Sequence, residues 1–220
     1  PDSMQELRRY GVDRPRISLG SDPALVLEPA PLSQADKILL DRGLDPEGRY
    51  ICFLLRTWWG FYEKAPVLAA AAEYAREKLG LTPVFLSINS LQDGAAAKAV
   101  MDKMEGPGVL LDGIGSPELL ISLLGRMSVV VSMRLHGLIF SSLSGAPLVG
   151  VSYDPKIGSF LRYLDYGQWT DLSAVTESWL VAALEEAYRQ LPRRQELMEK
   201  TKRLIEVEKV NLQAVKELLL

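Results

Sequence analysis

Short apolar runs alternate along the chain with longer stretches in which apolar residues recur every three or four positions. The runs 50–55, 82–87, 108–111, 127–133 and 148–153 read as strands, and 127–133 is so continuously apolar that it reads as buried on both faces. Helical spacing marks 3–10, 33–42, 63–79, 94–104, 116–124, 173–189 and 193–220. Ser33 is a candidate cap for the second of these, and Ser116-Pro117 opens the 116–124 helix with a cap residue and a first-turn proline. Gly11, Gly43 and Gly80 stand where helices should stop. After the run ending at Met133, Leu138, Ile139, Ser142 and Leu143 return at helical spacing, closed by Gly145 and Pro147. Asp154-Pro155-Lys156 opens a further helix to about Leu164. Residues 16–19 suggest a short strand, and the proline-bounded segment 21–29 an extended connector. Five strands alternating with helices predict an α/β fold, a Rossmann-like parallel sheet with helices on both faces and right-handed crossovers. The chain divides into 1–31, the tail of a preceding domain plus linker; 32–190, the Rossmann-like domain; and 191–220, a C-terminal amphipathic helix.

Composition narrows the classes. With 48% hydrophobic and 24% charged residues in 220, the chain has the balance of an ordinary globular protein. A net charge of −3 and the lack of a basic stripe argue against nucleic acid as a partner. The single cysteine, Cys52, rules out an internal disulfide and reads as a buried thiol. One histidine and one cysteine leave no zinc site built from those ligands, so no metal is expected. No run is long enough to cross a membrane and no signal peptide is present. The sequence starts at Pro1 without a methionine, which suggests a piece of a longer protein.

The candidate chemistry sits where the most apolar run ends. Arg134 terminates a strand that otherwise carries no charge, and His136, the only histidine, follows two residues later. A lone histidine is more often a core or capping residue. The context shifts that balance, because a buried strand ending in arginine costs desolvation unless an anion or carboxylate meets it. In open α/β sheets ligands bind at the carboxyl ends of strands, and helix N-termini there favour anions. Lys156 opens the helix after the next strand and so should share that edge; Arg56 ends the first strand and makes a fourth group. For Lys156 and Arg56 a surface ion pair is an equal alternative. Three cations and a proton-transferring ring suggest a phosphorylated or carboxylated ligand. Glycine-rich dinucleotide, Walker, nucleophile-elbow and His-Glu-x-x-His motifs are all absent from the sequence. Asp112 and Asp154 read first as caps. Trp58, Trp59 and Phe61 lie in a presumed loop after Arg56, suited either to stacking on sugars or to lid and interface packing.

Ser132-Met-Arg-Leu-His-Gly-Leu-Ile-Phe140 together with Ser152-Tyr-Asp-Pro-Lys156 resembles the polysaccharide pyruvyl transferase family, most closely its bacterial cell-wall branch. The segments 22–25 and 87–93 and the pair Asp112-Gly113 resemble further recurrent blocks of that family, and the resemblance runs from Pro1 to about Leu164. It implies two Rossmann-like domains in a GT-B-type arrangement, of which this chain holds the C-terminal one. The facing N-terminal domain is then a partner, and an Arg-Asp pair preceding the Pro1-Asp-Ser3 block, with a donor-binding arginine, lies outside the 220 residues. The implied donor is phosphoenolpyruvate, with no other cofactor, and the product a pyruvate ketal on a sugar. By position, His136 is the general acid. Arg134, Lys156, Leu135 and Ser132 bind phosphoenolpyruvate, and Arg56 and Trp58 are candidate acceptor or anion contacts. The implied acceptor is a lipid-linked oligosaccharide carrying β-N-acetylmannosamine, a precursor of secondary cell wall polysaccharide that anchors S-layer proteins. That setting implies a cytoplasmic enzyme, with the inner face of the membrane as a candidate docking surface.

Two other classes share the architecture. One is a GT-B glycosyltransferase using a nucleotide-sugar donor, for which Glu118 is a candidate ribose partner. The other is a non-catalytic sugar-binding module, which would bind anions without turnover.

Overall fold

All five residues of Tyr50-Ile-Cys-Phe-Leu54 are buried, so this strand needs cover on both faces. A computed structural model, which describes residues 2–12, 17–88 and 90–219, provides that cover. Its elements are α1 (Asp2–Arg9), a 3-10 turn (Pro23–Val26), α2 (Leu32–Asp41), β1 (Tyr50–Leu54), α3 (Phe61–Lys78), β2 (Thr82–Leu86), α4 (Ser90–Met101) and β3 (Val109–Leu111). Then follow α5 (Pro117–Gly125), β4 (Val129–Ser132), α6 (Leu135–Ser144), β5 (Leu148–Ser152), α7 (Pro155–Leu164), β6 (Gln168–Asp171), α8 (Glu177–Arg189), a second 3-10 turn (Leu191–Arg193) and α9 (Arg194–Leu219).

The strands form one sheet in the order β3-β2-β1-β4-β5-β6, with every pair parallel. Side chains alternate across it. Ile51, Phe53, Leu55, Phe85, Val129, Val131 and Val149 pack under α3, α4 and α8. Tyr50, Cys52, Leu54, Val84, Val130 and Leu148 pack under α2, α5, α6, α7 and α9. Cys52 is fully buried, and burial pushes its thiol pKa up, away from any reactive thiolate. Consecutive strands leave β1 on opposite sides, so the sheet changes direction between β1 and β4. That switch point is where an open α/β sheet leaves a crevice at its carboxyl edge.

α9 braces the helix that carries the site. Arg194 donates to the carbonyls of Gly125 (2.7 Å) and Met127, and the Thr201 hydroxyl donates to the Ser142 carbonyl (3.1 Å). On the same face Arg126 grips Asp36 through two 2.7 Å bonds, tying α2 to the lead-in of β4.

Several expectations are corrected. Residues 21–29 are not simply extended. Asp22 caps a 3-10 turn by accepting the Ala24 amide (2.9 Å), Pro23 fills its first position, and the turn buries Leu25. α2 begins one residue early, behind Pro31, and Ser33 caps nothing because it lies within the helix. α3 begins at Phe61, which is a fully buried core residue and not an exposed loop aromatic. α4 begins at Ser90, running through Gly94, an interior glycine that costs only about 1 kcal/mol against alanine. α6 begins at Leu135, so His136 is inside the helix, not ahead of it. α8 begins at Glu177, because Thr176 caps it by accepting the Trp179 amide (3.3 Å). The sheet has a sixth strand among the described residues, Gln-Trp-Thr-Asp, which is a polar edge strand and carries no apolar run. Residues 17–19 form no strand, and Arg16 lies outside the described residues.

Candidate functional site

The crevice is built from two strand-to-helix junctions of the same design. β4 ends in Ser132, whose hydroxyl accepts the Arg134 amide (3.0 Å) and donates to the Arg134 carbonyl (2.8 Å). β5 ends in Ser152, whose hydroxyl donates to the Asp154 carbonyl (2.9 Å). In each case the serine folds the chain out of the sheet so that the residue two further on becomes the N-cap of the next helix. Arg134 caps α6 and Asp154 caps α7. His136 and Lys156 therefore occupy the equivalent position, the second residue of each helix. Because β4 and β5 are neighbours with Ser132 opposite Gly150, the two helix starts lie side by side on one edge.

The two starts differ in charge. Asp154 accepts the Lys156 amide (3.0 Å) and its carboxylate lies 3.6 Å from Lys156 Nζ, so α7 carries its own anion. Arg134 makes no side-chain capping hydrogen bond to α6. Its N-terminus has the positive end of the dipole with Arg134 beside it. His136 is exposed, and its ring lies 5.9 Å from that of Phe140 one turn on. Lys156 is exposed, Leu135 is half-buried, and both line a cavity of about 580 Å³ whose walls also include Leu7 of α1 and Tyr10 just after it. Ser132 is fully buried with its hydroxyl engaged by the Arg134 backbone, so it shapes the junction.

Arg134 has a partner that the sequence reading passed over. Asp93, on α4, is buried, and its carboxylate lies 3.5 Å from the Arg134 guanidinium. The same carboxylate accepts the Ile88 amide (3.0 Å), fastening the turn after β2. Asp93 thus meets the buried positive charge and anchors the loop beside it. The available signal was an acid in the otherwise alanine-rich stretch 90–101. Asn89, within the 87–93 block, lies outside the described residues.

Arg56 projects from the other side of the switch point. Its Nη1 donates to Tyr153 Oη (3.3 Å), and its guanidinium carbon lies 5.6 Å from the Tyr153 ring and 5.9 Å from that of Trp58. Trp58 packs on Tyr153 with centroids 4.7 Å apart. Arg56 Nε is buried without a hydrogen-bond partner among the described residues. Arg56, Trp58 and Tyr153 therefore form one unit joining the β1 and β5 junctions. Trp59, beside it, is 91% exposed.

The other acids are committed elsewhere. Asp112 pairs with Arg42 (2.9 Å) on the far side of the sheet instead of capping a helix. The Ser116 hydroxyl donates to Glu118, which holds that carboxyl below the usual range and ties it to the start of α5. Among the described residues no three His, Cys, Asp or Glu side chains are grouped to hold a metal, and no helix is long and apolar enough to cross a membrane.

Gly137, directly after His136, shows how tightly the α6 junction is closed. A Cβ there would overlap Ser132 Oγ and lie 3.1 Å from Leu54 Cδ2. Gly137→Ala is therefore expected to cost about 1–3 kcal/mol by overpacking. Thermal denaturation should show the loss, at about 2–4 °C per kcal/mol in a chain this long. Removing Oγ in the Gly137→Ala/Ser132→Ala double variant should recover part of it, a non-additivity expected only of residues in contact.

Among solved structures, the chain is similar to a glycosyl transferase family 9 protein from Veillonella parvula (TM-score 0.55, 17% identity, covering 85% of this chain and 58% of that one). It is also similar to the UDP-GlcNAc 2-epimerase from Neisseria meningitidis bound to UDP-GlcNAc (TM-score 0.57, 11% identity, 98% and 52% covered). A putative UDP-N-acetylglucosamine 2-epimerase from Listeria monocytogenes gives 0.54 at 14% identity, covering 83% and 47%. At these identities the likeness is one of fold, the Rossmann-like sheet of GT-B-type proteins, and the chain spans about half the length of these structures. No curated protein sequence matches it. The family model for polysaccharide pyruvyl transferase matches residues 2–155, well over half of the chain, and the chain belongs to that family of transferases.

Proposed function

We propose that this domain binds phosphoenolpyruvate and serves its transfer, as a pyruvate ketal, to a sugar of a lipid-linked cell-wall polymer precursor, with β-N-acetylmannosamine as the acceptor. The observation that carries the reading is the start of α6, with Arg134 at its cap making no side-chain capping bond and His136 in its first turn, beside Lys156 at the same position of α7. Phosphoenolpyruvate carries two anionic groups and one carbon that must be protonated. Arg134 and Lys156 suit the carboxylate and phosphate, and a guanidinium fork retains donors for a ligand after pairing with Asp93. His136, exposed at the mouth, suits proton delivery to the enol methylene. Protonation turns C2 into an oxocarbenium-like centre. A sugar hydroxyl adds there and releases its proton, phosphate leaves with its bonding pair, and a second hydroxyl closes the ketal. The helix dipole and the two cations stabilise the phosphate as its charge grows. In this reading the product is secondary cell wall polysaccharide bearing the group that S-layer proteins bind.

The test uses the full-length protein with phosphoenolpyruvate and a synthetic β-N-acetylmannosaminyl disaccharide. Phosphate should be released only when both are present, and mass spectrometry should find the acceptor heavier by one pyruvate ketal. The epimerase neighbour holds a nucleotide sugar, so thermal protection by UDP-sugars and not by phosphoenolpyruvate would overturn the proposal.

A further inference from the structure

A second cavity, of about 410 Å³, opens on the same edge of the sheet, beside the β5 junction and towards β6. Its size is within the roughly 300–1,000 Å³ of small-molecule sites. Its walls are Trp58, Trp59, Tyr153, Trp169, Asp154 and Asp171. Pro155 lines both this cavity and the one that contains Lys156, so the two are adjacent.

We propose that this aromatic cleft is the acceptor subsite, a platform on which Trp59 stacks against a neutral pyranose ring while Asp171 accepts hydrogen bonds from its hydroxyls; the assignment rests on the transferase reading above. Three observations support it. The first is the state of each ring. Trp58 is packed on Tyr153, and Trp169 is seated against α7, where a Cβ on Gly158 would lie 2.8 Å from its ring and the Arg162 guanidinium carbon sits 5.3 Å from its centroid. Trp59 alone of these is left almost wholly in water, on a loop turned by Gly60 at φ +77°. An indole held open at the rim of a formed cavity offers a flat apolar face, which matches the C–H face of a sugar ring.

The second observation is charge. Two carboxylates face the cleft, and its one cation, Arg162, is engaged over Trp169. Carboxylates accept hydrogen bonds from hydroxyl groups and repel phosphates. Asp154 is occupied by the α7 cap and Lys156, whereas Asp171 pairs with no side chain among the described residues. The cleft therefore favours a neutral polyhydroxylated ring over a nucleoside diphosphate or a second anion. The third is position. A ring here would lie across Asp154 and Pro155 from Lys156, next to the cavity that holds the proposed donor groups.

The test is steady-state kinetics of Trp59→Ala and Asp171→Asn in the full-length protein. Both positions are exposed, so both variants should fold. The expected result is a KM for the disaccharide acceptor raised by about tenfold in each, the loss of roughly one good contact, with KM for phosphoenolpyruvate unmoved and Trp59→Phe restoring most of the affinity. Unchanged acceptor KM in both variants overturns the subsite and leaves the transferase reading standing. Should phosphoenolpyruvate not turn over with the acceptor, the transferase reading fails by itself, and tryptophan fluorescence decides the cleft. Saturable quenching by the disaccharide that Trp59→Ala abolishes would support a sugar platform. No quenching, or quenching by UDP-N-acetylglucosamine alone, would overturn it.

Discussion

His136→Ala is expected to lower kcat by about 10²–10⁴-fold, the usual worth of a positioned general acid, while KM for phosphoenolpyruvate changes little. Position predicts this separation. His136 is exposed, with its ring beside that of Phe140, so its loss should leave the fold and the two cations undisturbed. The donor's anionic groups are assigned to Arg134, Lys156 and the start of α6, none of which needs the imidazole. His136→Gln, which keeps a hydrogen-bonding group but cannot deliver a proton near neutral pH, should be as slow as alanine. A variant with near wild-type turnover would return His136 to the role of an ordinary surface histidine. A parallel rise in KM would instead make it a binding group.

The sheet was legible because a strand covered on both faces has to be largely apolar, and β1, β2, β4 and β5 are, with polar residues only at the ends of β2, β4 and β5. β6 was not, since an edge strand need not be apolar, and Gln168-Trp-Thr-Asp171 relies on pairing with β5 for its identity. Helix starts were legible where a cap residue is followed directly by proline, as at Ser116-Pro117 and Asp154-Pro155, but not at Thr176, which caps α8 without one. They were misplaced at Ser33 and Gly94, where local propensity yields to packing. For the site, the alternation of strand and helix is enough to bring Arg134, His136 and Lys156 to one edge. Two features depend on contacts between distant segments that no spacing encodes. One is the Arg56–Tyr153–Trp58 unit, which spans β1 and β5. The other is Asp93, forty-one residues before its partner Arg134, on a helix across the switch point.

That pair makes Asp93→Ala the substitution with the largest expected effect on both stability and donor binding. Asp93 is almost wholly buried and the Arg134 side chain is only 16% exposed. Removing one member of such a pair leaves the other charge without compensation, which costs about 3–5 kcal/mol. It also strips the Ile88 amide of its acceptor in a part-buried setting. At about 2–4 °C per kcal/mol in a chain of this length, the melting temperature should fall by about 10 °C. Asp93→Asn separates the two losses. Its carbonyl oxygen can still accept from Ile88, so part of the stability should return, but the charge opposite Arg134 is gone. If the carboxylate holds the guanidinium at the mouth of the crevice, the KM for phosphoenolpyruvate should rise in the asparagine variant even where its fold is intact. If the pair serves the fold alone, the asparagine variant should be less stable yet bind the donor normally. Thermal melts and donor KM measured on the same preparations distinguish the cases, and an alanine variant that melts like the wild type would show that Arg134 needs no partner there at all.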